Sequence, residues 1–311
     1  MPAAAEPRAA RKTVAPAHSE LMPFEGPRPI TDHEFGLFRT LINDEAGIHL
    51  ADTKRALLVG RLSRRLRILG LRTFKEYYRR IVDGDHEERV HMLDAITTNE
   101  THFFREPRQF DFIESELLPR WVAGVAKRPG GRQVRVWSAA CSTGEEPYSL
   151  AMTLLWHLPP NAGWNVEIVA TDLSTRALAA AQAAVWPLAK ADEIPQRYLK
   201  RYMLRGTGPQ EGKMKAGPEI CAAVTFRKLN LNADAYPIAG PFDMIFCRNV
   251  LIYFKPEAKV RVIERLLEQL TPDGLLFLGH AESLTGLSER VRCVGPTVYT
   301  LRDTPPAGAR R

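Results

Sequence analysis

Several stretches of this 311-residue chain end an apolar run in residues able to hold a small polar ligand. Asp172 directly follows VEIVAT (166–171), and an acid ending a strand is placed to accept hydrogen bonds from two ribose hydroxyls. Ser174 is available to cap the next helix, so Asp172 is not needed for that task. In WSAACSTGEEPYS (137–149), small side chains let a ligand approach the backbone closely before Glu145 and Glu146 open a helix. Two carboxylates there repel a pyrophosphate and favour a cationic group. Either acid taken singly also suits the N-terminus of a helix. LNLN (229–232) offers Asn230 to an adenine edge. FCRNVLIYF (246–254) sets Cys247 and Arg248 at a strand tip, with Tyr253 about a turn later and within reach of a reacting centre. A buried core tyrosine is the competing reading of Tyr253.

A nucleoside with ribose contacts, no pyrophosphate cradle and a positive tail is S-adenosylmethionine. Its chemistry is an in-line displacement, for which a protein mainly aligns the partners and excludes water. ITTNETHFFREPRQF (96–110) adds Asn99, Thr101 and Arg105, too polar for a helix–sheet seam unless they meet ligand or water. Arg105 is able to hold a carboxylate in a bidentate fork. His102 is assigned no role.

The elements that position these residues follow from hydrophobic periodicity. Thr31 with Glu34 reads as a capping box, followed by Phe35, Phe38, Leu41 and Ile42 at helical spacing. Further helices are expected over 52–69, stopped by Gly70, then 73–82 and 86–97. After Gly131 the pattern becomes strand then helix: strands over 134–139, 166–171, 224–231, 242–247 and 275–280, and helices over 147–158, 174–186 and 256–270. A hairpin around Gly295-Pro296 closes the chain. The expected fold is α/β, a doubly wound sheet with an antiparallel edge and an N-terminal all-helical domain. The domains are a flexible leader (1–29), the helical domain (30–97), and a linker with a helix leading into the sheet (98–130). The sheet domain follows (131–302), with a small insertion over 192–223, and then a disordered tail (303–311).

Composition removes other classes. Hydrophobic residues at 45% and charged residues at 25% are ordinary for a globular chain. No run of about 18 apolar residues offers a membrane span, and the N-terminus lacks the apolar stretch of a secretory signal. The four cysteines lie far apart, which points to free thiols in a cytoplasmic setting, and no ligand spacing points to a metal. The net charge of +7 is local: residues 51–80 hold ten basic residues against Asp52 and Glu76, a surplus of +8. On that helix Leu58, Leu62, Leu66 and Leu69 share one face, leaving Lys54, Arg61, Arg64, Arg65 and Arg67 as a basic stripe for an acidic partner.

TTNETHFFRE (97–106), VWSAACSTGEEPYSLA (136–151), RGTGPQEG (205–212), GPFDMIFCRNVLIYF (240–254) and PDGLLFLGHAESL (272–284) together resemble the bacterial chemotaxis receptor methyltransferases, the CheR family. The resemblance covers about residues 30–302. It implies a Rossmann-like class I methyltransferase sheet with a small β-subdomain. The implied activity is methyl transfer from S-adenosylmethionine to glutamates of chemoreceptor cytoplasmic helices, giving γ-methyl esters and S-adenosylhomocysteine. By motif match it implies cofactor contacts at Asn99, Thr101, Arg105, Glu146, Asp172, Asn230 with Leu231, and Cys247 with Arg248; Glu145 remains an alternative to Glu146. Tyr253 and Arg105 match the pair that places the substrate carboxylate. The basic stripe becomes a docking face for the receptor bundle, and the Gly206–Gly208 loop a grip for a receptor C-terminal peptide. His102 departs from the family pattern, where a small residue is expected.

Two other functions compete. An RNA methyltransferase would place aromatic residues among the basic ones for base stacking, and only Phe74, Tyr77 and Tyr78 come near. A non-catalytic sensor of S-adenosylmethionine would not need Arg105 and Tyr253. The expected partner is therefore an acidic protein, with neither nucleic acid nor membrane insertion.

Overall fold

The computed structural model describes residues 27–128, 130–284 and 288–302. Most of the expected leader (1–26) and the whole tail (303–311) lie outside the described residues. Helices α1 (Asp32–Ala46), α2 (Arg55–Ile68), α3 (Phe74–Val82) and α4 (His86–Ile96) form the N-terminal bundle. Thr31 and Glu34 make the capping box of α1, and Thr73 and Glu76 make one for α3. The second Glu34 oxygen accepts the Lys75 N–H at 2.8 Å, so one residue ends two helices. Leu58, Leu62 and Leu66 are fully buried against Phe38, Tyr77 and Met92. Residues 52–54, expected in α2, form a separate 3₁₀ turn.

The chain enters the sheet through α5 (Pro107–Phe112), a π turn (Ile113–Leu117) and α6 (Leu118–Ala123). Then follow β1 (Gln133–Ala139), α7 (Glu145–His157), β2 (Asn165–Asp172), α8 (Thr175–Ala183), β3 (Val185–Pro187), α9 (Gln196–Tyr202), β4 (Met203–Arg205), β5 (Lys213–Ala216) and α10 (Pro218–Ala222). Last come β6 (Val224–Lys228), β7 (Phe242–Cys247), α11 (Pro256–Glu268), β8 (Leu270–Leu278), β9 (Val291–Gly295) and β10 (Val298–Leu301). The main sheet has the order β6-β2-β1-β7-β8-β10-β9. Its first five strands are parallel, and β10 runs antiparallel to both β8 and β9. Strand order reverses between β1 and β7, so ligand space opens beyond their carboxyl ends. Alternate residues of β1 enter opposite cores, Val134 and Val136 with α7, Trp137 and Ala139 with α11.

The insertion begins earlier than expected. The helix read over 174–186 stops at Ala183, because Ala184 turns left-handed at φ 53° and Trp186 is drawn into the core. The Trp186 ring packs edge-on against Phe103 and Tyr148 at 5.0 and 5.2 Å. Residues 185–187 therefore join a second sheet of order β3-β5-β4. The strand expected over 224–231 ends at Lys228, which releases Leu229 to Asn232 as a loop.

Candidate functional site

A cleft opens beyond β1, β2 and β7. Asn99, Thr101, Arg105, Glu146, Asp172, Asn230, Leu231, Arg248 and Tyr253 all line it. The segment 99–105 runs along one wall and is pinned repeatedly. Ser142 Oγ donates to Asn99 O at 3.1 Å and Lys190 Nζ to Thr101 O at 2.9 Å. Ser149 Oγ accepts the Phe104 N–H at 3.0 Å, and Arg248 donates to Arg105 O at 2.6 Å. Phe104 and Glu106, either side of Arg105, are left-handed at φ 50° and 62°. Such strain on non-glycine residues persists only where neighbours enforce it, and the pins above do so.

The two acids after β1 separate by direction. Glu146 faces the cleft floor, where its carboxylate accepts Ser138 Oγ–H at 2.6 Å and Arg248 Nε–H at 2.7 Å. Glu145 turns to the other side and pairs with Lys190 at 2.7 Å. Each of the two carboxylates expected to favour a cationic group thus already has a basic partner in the protein. Arg248, buried like its partner, also donates to Gln109 Oε1 at 3.0 Å. Arg105 differs. Its guanidinium makes one long bond, 3.3 Å to Glu100 O, and has no ion-pair partner among the described residues.

Asp172 ends β2 with 7% exposure. Burial raises its carboxyl above the ordinary Asp value, while the N–H groups of Ser174 and Ser142 pull the other way. Each oxygen accepts one of those N–H groups at 2.8 Å, which leaves a lone pair on each for vicinal hydroxyls. The loop between β1 and α7 supports this approach with Ala140 and Ser142 left-handed at φ 65° and 51°. Asn230 is less free than expected. Its amide donates to Glu45 O at 2.6 Å and accepts the Asn232 N–H at 2.9 Å, tying the loop to the end of α1. The Cys247 side chain lies fully buried in the α11-side core and does not line the cleft, which leaves only its backbone at the strand tip for a ligand.

The helical bundle supplies part of the cleft wall through Ala46 and Ile48, a contribution that motif reading did not reveal. Gly47 caps α1 at φ 72°, and a Cβ there would stand 2.6 Å from the Phe254 ring. This close approach permits an antiparallel bridge between Ile48 and Phe254, with the His49 N–H donating to Tyr253 O at 2.7 Å. Thr175 of α8 donates to Asp94 of α4 at 2.7 Å. The basic stripe divides. Lys54, Arg64 and Arg67 are exposed. Arg65 is not a free docking residue, since it forks onto buried Glu88 at 2.9 and 2.5 Å. Arg61 turns back to Ile96 O and to Thr98 Oγ1, the latter at 2.9 Å. Phe74 and Tyr77 are buried and present no face to a base. Among the described residues no cluster of three or more His, Cys, Asp or Glu could hold a metal, and no helix is long and apolar enough to cross a membrane.

An acid able to take two hydroxyls, a small-residue loop, apolar Leu229 and Leu231, and an unpaired guanidinium fit the ribose, base and carboxylate of S-adenosylmethionine. Sheet and cleft together define a methyltransferase of the Rossmann-like class. Residues 99–300 match the family model for the CheR methyltransferase SAM-binding domain, and residues 33–97 the model for the CheR methyltransferase all-alpha domain. The chain belongs to the CheR methyltransferase family, and its cofactor is S-adenosylmethionine. It is similar to chemotaxis protein methyltransferase 2 of Pseudomonas aeruginosa, at 41% identity over 90% of this chain and 99% of that one. It is also similar to the chemotaxis protein methyltransferase of Escherichia coli, at 42% identity over 88% and 92%. Among solved structures, the glycopeptide N-methyltransferase MtfA with S-adenosylmethionine aligns over 63% of this chain and 57% of that one. The TM-score is 0.33 and the identity 17%, so the fold assignment rests on the topology above.

Proposed function

We propose that this protein methylates glutamate side chains on the cytoplasmic helices of chemoreceptors, in the cytoplasm, as part of chemotactic adaptation. The observation that carries the reading is Arg105, without an ion-pair partner among the described residues, sharing one cleft with Tyr253, while the other cleft arginine, Arg248, is neutralised by Glu146. An unpaired guanidinium beside a phenol suits a substrate carboxylate. A glutamate with pKa near 4.3 is already ionised at neutral pH, so no general base is required. S-adenosylmethionine supplies the methyl: its C–S electron pair leaves with sulfur as the carboxylate oxygen bonds carbon, giving the ester and S-adenosylhomocysteine. Asp172, Leu229 and Leu231 would hold the nucleoside part, and Asn99 and Thr101 line the same cleft. Arg105 and Tyr253 orient the incoming carboxylate and replace the water it loses. Arg105 is also placed to take the cofactor's own carboxylate.

Exposed Lys54, Arg64 and Arg67 support docking of an acidic helical bundle. The outer edge of β4, unpaired in the β3-β5-β4 sheet beside the Gly206–Gly208 turn, supports a grip on an extended receptor peptide. Radiolabelled methyl transfer to purified receptor fragments, with and without their C-terminal residues, tests the whole reading. Label is expected in receptor protein as a base-labile ester, and Arg105→Ala is expected to lower kcat/KM roughly 100-fold. Label in RNA, or none in any acceptor, would reject it.

A further inference from the structure

The turn that carries Tyr253 is fastened from beneath by one carboxylate. Glu282, 6% exposed, accepts the Asn249 N–H at 2.9 Å and the Gly279 N–H at 2.8 Å on one oxygen. Its other oxygen accepts the Leu251 N–H at 2.8 Å. Leu251 opens the 3₁₀ turn Leu251–Tyr253, and Asn249, left-handed at φ 58°, lines the cleft. Gly279 completes the joint: a Cβ there would stand 2.6 Å from Asn249 Nδ2 and 2.9 Å from Glu282 Oε2. Hydrogen bonds to a carboxylate are among the stronger ones, so two from the turn and one from Gly279, gathered on one buried side chain, hold the turn to the end of β8. Glu282 itself does not line the cleft. It reaches the chemistry only through the backbone it grips.

We propose that Glu282 is a positioning residue for methyl transfer, holding residues 249–251 so that Tyr253 faces the substrate carboxylate. The proposal rests on the reading of Tyr253 given above. Glu282→Gln is close to isosteric but turns an NH₂ group toward N–H donors that now meet an acceptor. The expected result is a fall in kcat of roughly 10- to 100-fold, because a small misplacement of an aligned group is costly. Affinity for S-adenosylhomocysteine, measured by calorimetry, is expected to stay within about threefold, since Asp172 and residues 99–101 are untouched. In a Tyr253→Phe background the same substitution is expected to cost little more, because both changes then act on one group.

Equal loss of kcat in the two backgrounds overturns the proposal alone, as does an unchanged kcat or a parallel loss of product affinity. A fully active Tyr253→Phe enzyme overturns the reading of Tyr253, and the proposal with it. If Glu282→Gln does not yield folded protein, Glu282→Asp keeps the charge but withdraws it by one methylene. The same comparison of backgrounds then decides, with a smaller fall expected.

Discussion

Arginine is used differently in the helical bundle and at the tips of the sheet. In the bundle, Arg65 is locked onto buried Glu88, while Lys54, Arg64 and Arg67 are exposed and have no ion-pair partner among the described residues. In the cleft, Arg248 is locked onto buried Glu146 and Arg105 stands free in a partly enclosed site. Both locked members spend their charge on a buried carboxylate. The free members differ in setting. Surface cations act over a Debye length and are screened by salt, whereas a free guanidinium in a cleft acts at contact. The first kind suits finding a partner and the second suits holding one group of it.

Breaking the locked pair on α2 should have the largest effect. Arg65→Met leaves the Glu88 carboxylate, 3% exposed, without its cation and should cost about 3 kcal/mol of stability by denaturant unfolding. The Michaelis constant for receptor should not change in the fraction that stays folded; a change there would return Arg65 to the docking face. Gly47→Ala attacks the seam between the two regions. With φ at 72° and the Phe254 ring in the way, it should cost roughly 2 kcal/mol and also lower kcat through the His49–Tyr253 bond. Full turnover in this variant would show that the bundle does not help to set Tyr253.

Replacing Lys54, Arg64 and Arg67 together by alanine should raise the Michaelis constant for receptor about tenfold at low salt, with kcat retained. Wild type and variant should converge as salt rises, because screening removes the same attraction. The smallest effect is one of pH. Asp172 is raised by burial, so affinity for S-adenosylhomocysteine should begin to fall at a higher pH than an exposed aspartate would give as the solution is acidified. The stability of the free protein has the opposite sign. A raised native pKa contributes stability below the unfolded value and loses it as pH rises through the native one. Calorimetric titration over mildly acidic pH measures the first, and denaturant unfolding the second.

Much of this was readable in one dimension. Capping signals and the polar strand tips led to ten proposed cofactor and catalytic positions, nine of which line one cleft, while the Cys247 side chain does not. Parity alone would have excluded its side chain, since Cys247 lies two residues from core-facing Ile245. Arg61 and Arg65 could not be separated from their neighbours. A helical wheel gives their face but not which helix covers it, and α4 packs there. Glu282 lay within a motif of the family resemblance, but nothing local showed that its carboxylate meets residues 33 positions away.

The amino-acid sequence by itself determined the order of elements, the small-residue loop after the first strand, the acid ending the second and the concentration of charge in residues 51–80. Those features depend on periodicity and local chemistry, which a linear pattern carries. Tertiary structure decided which charges are spent and which remain. Neutralisation of Arg248 by Glu146 and Arg65 by Glu88, and the seam from Gly47 to Tyr253, join residues far apart in the chain. Their partners are chosen by packing, and it is packing that leaves Arg105 in the cleft without an ion-pair partner among the described residues.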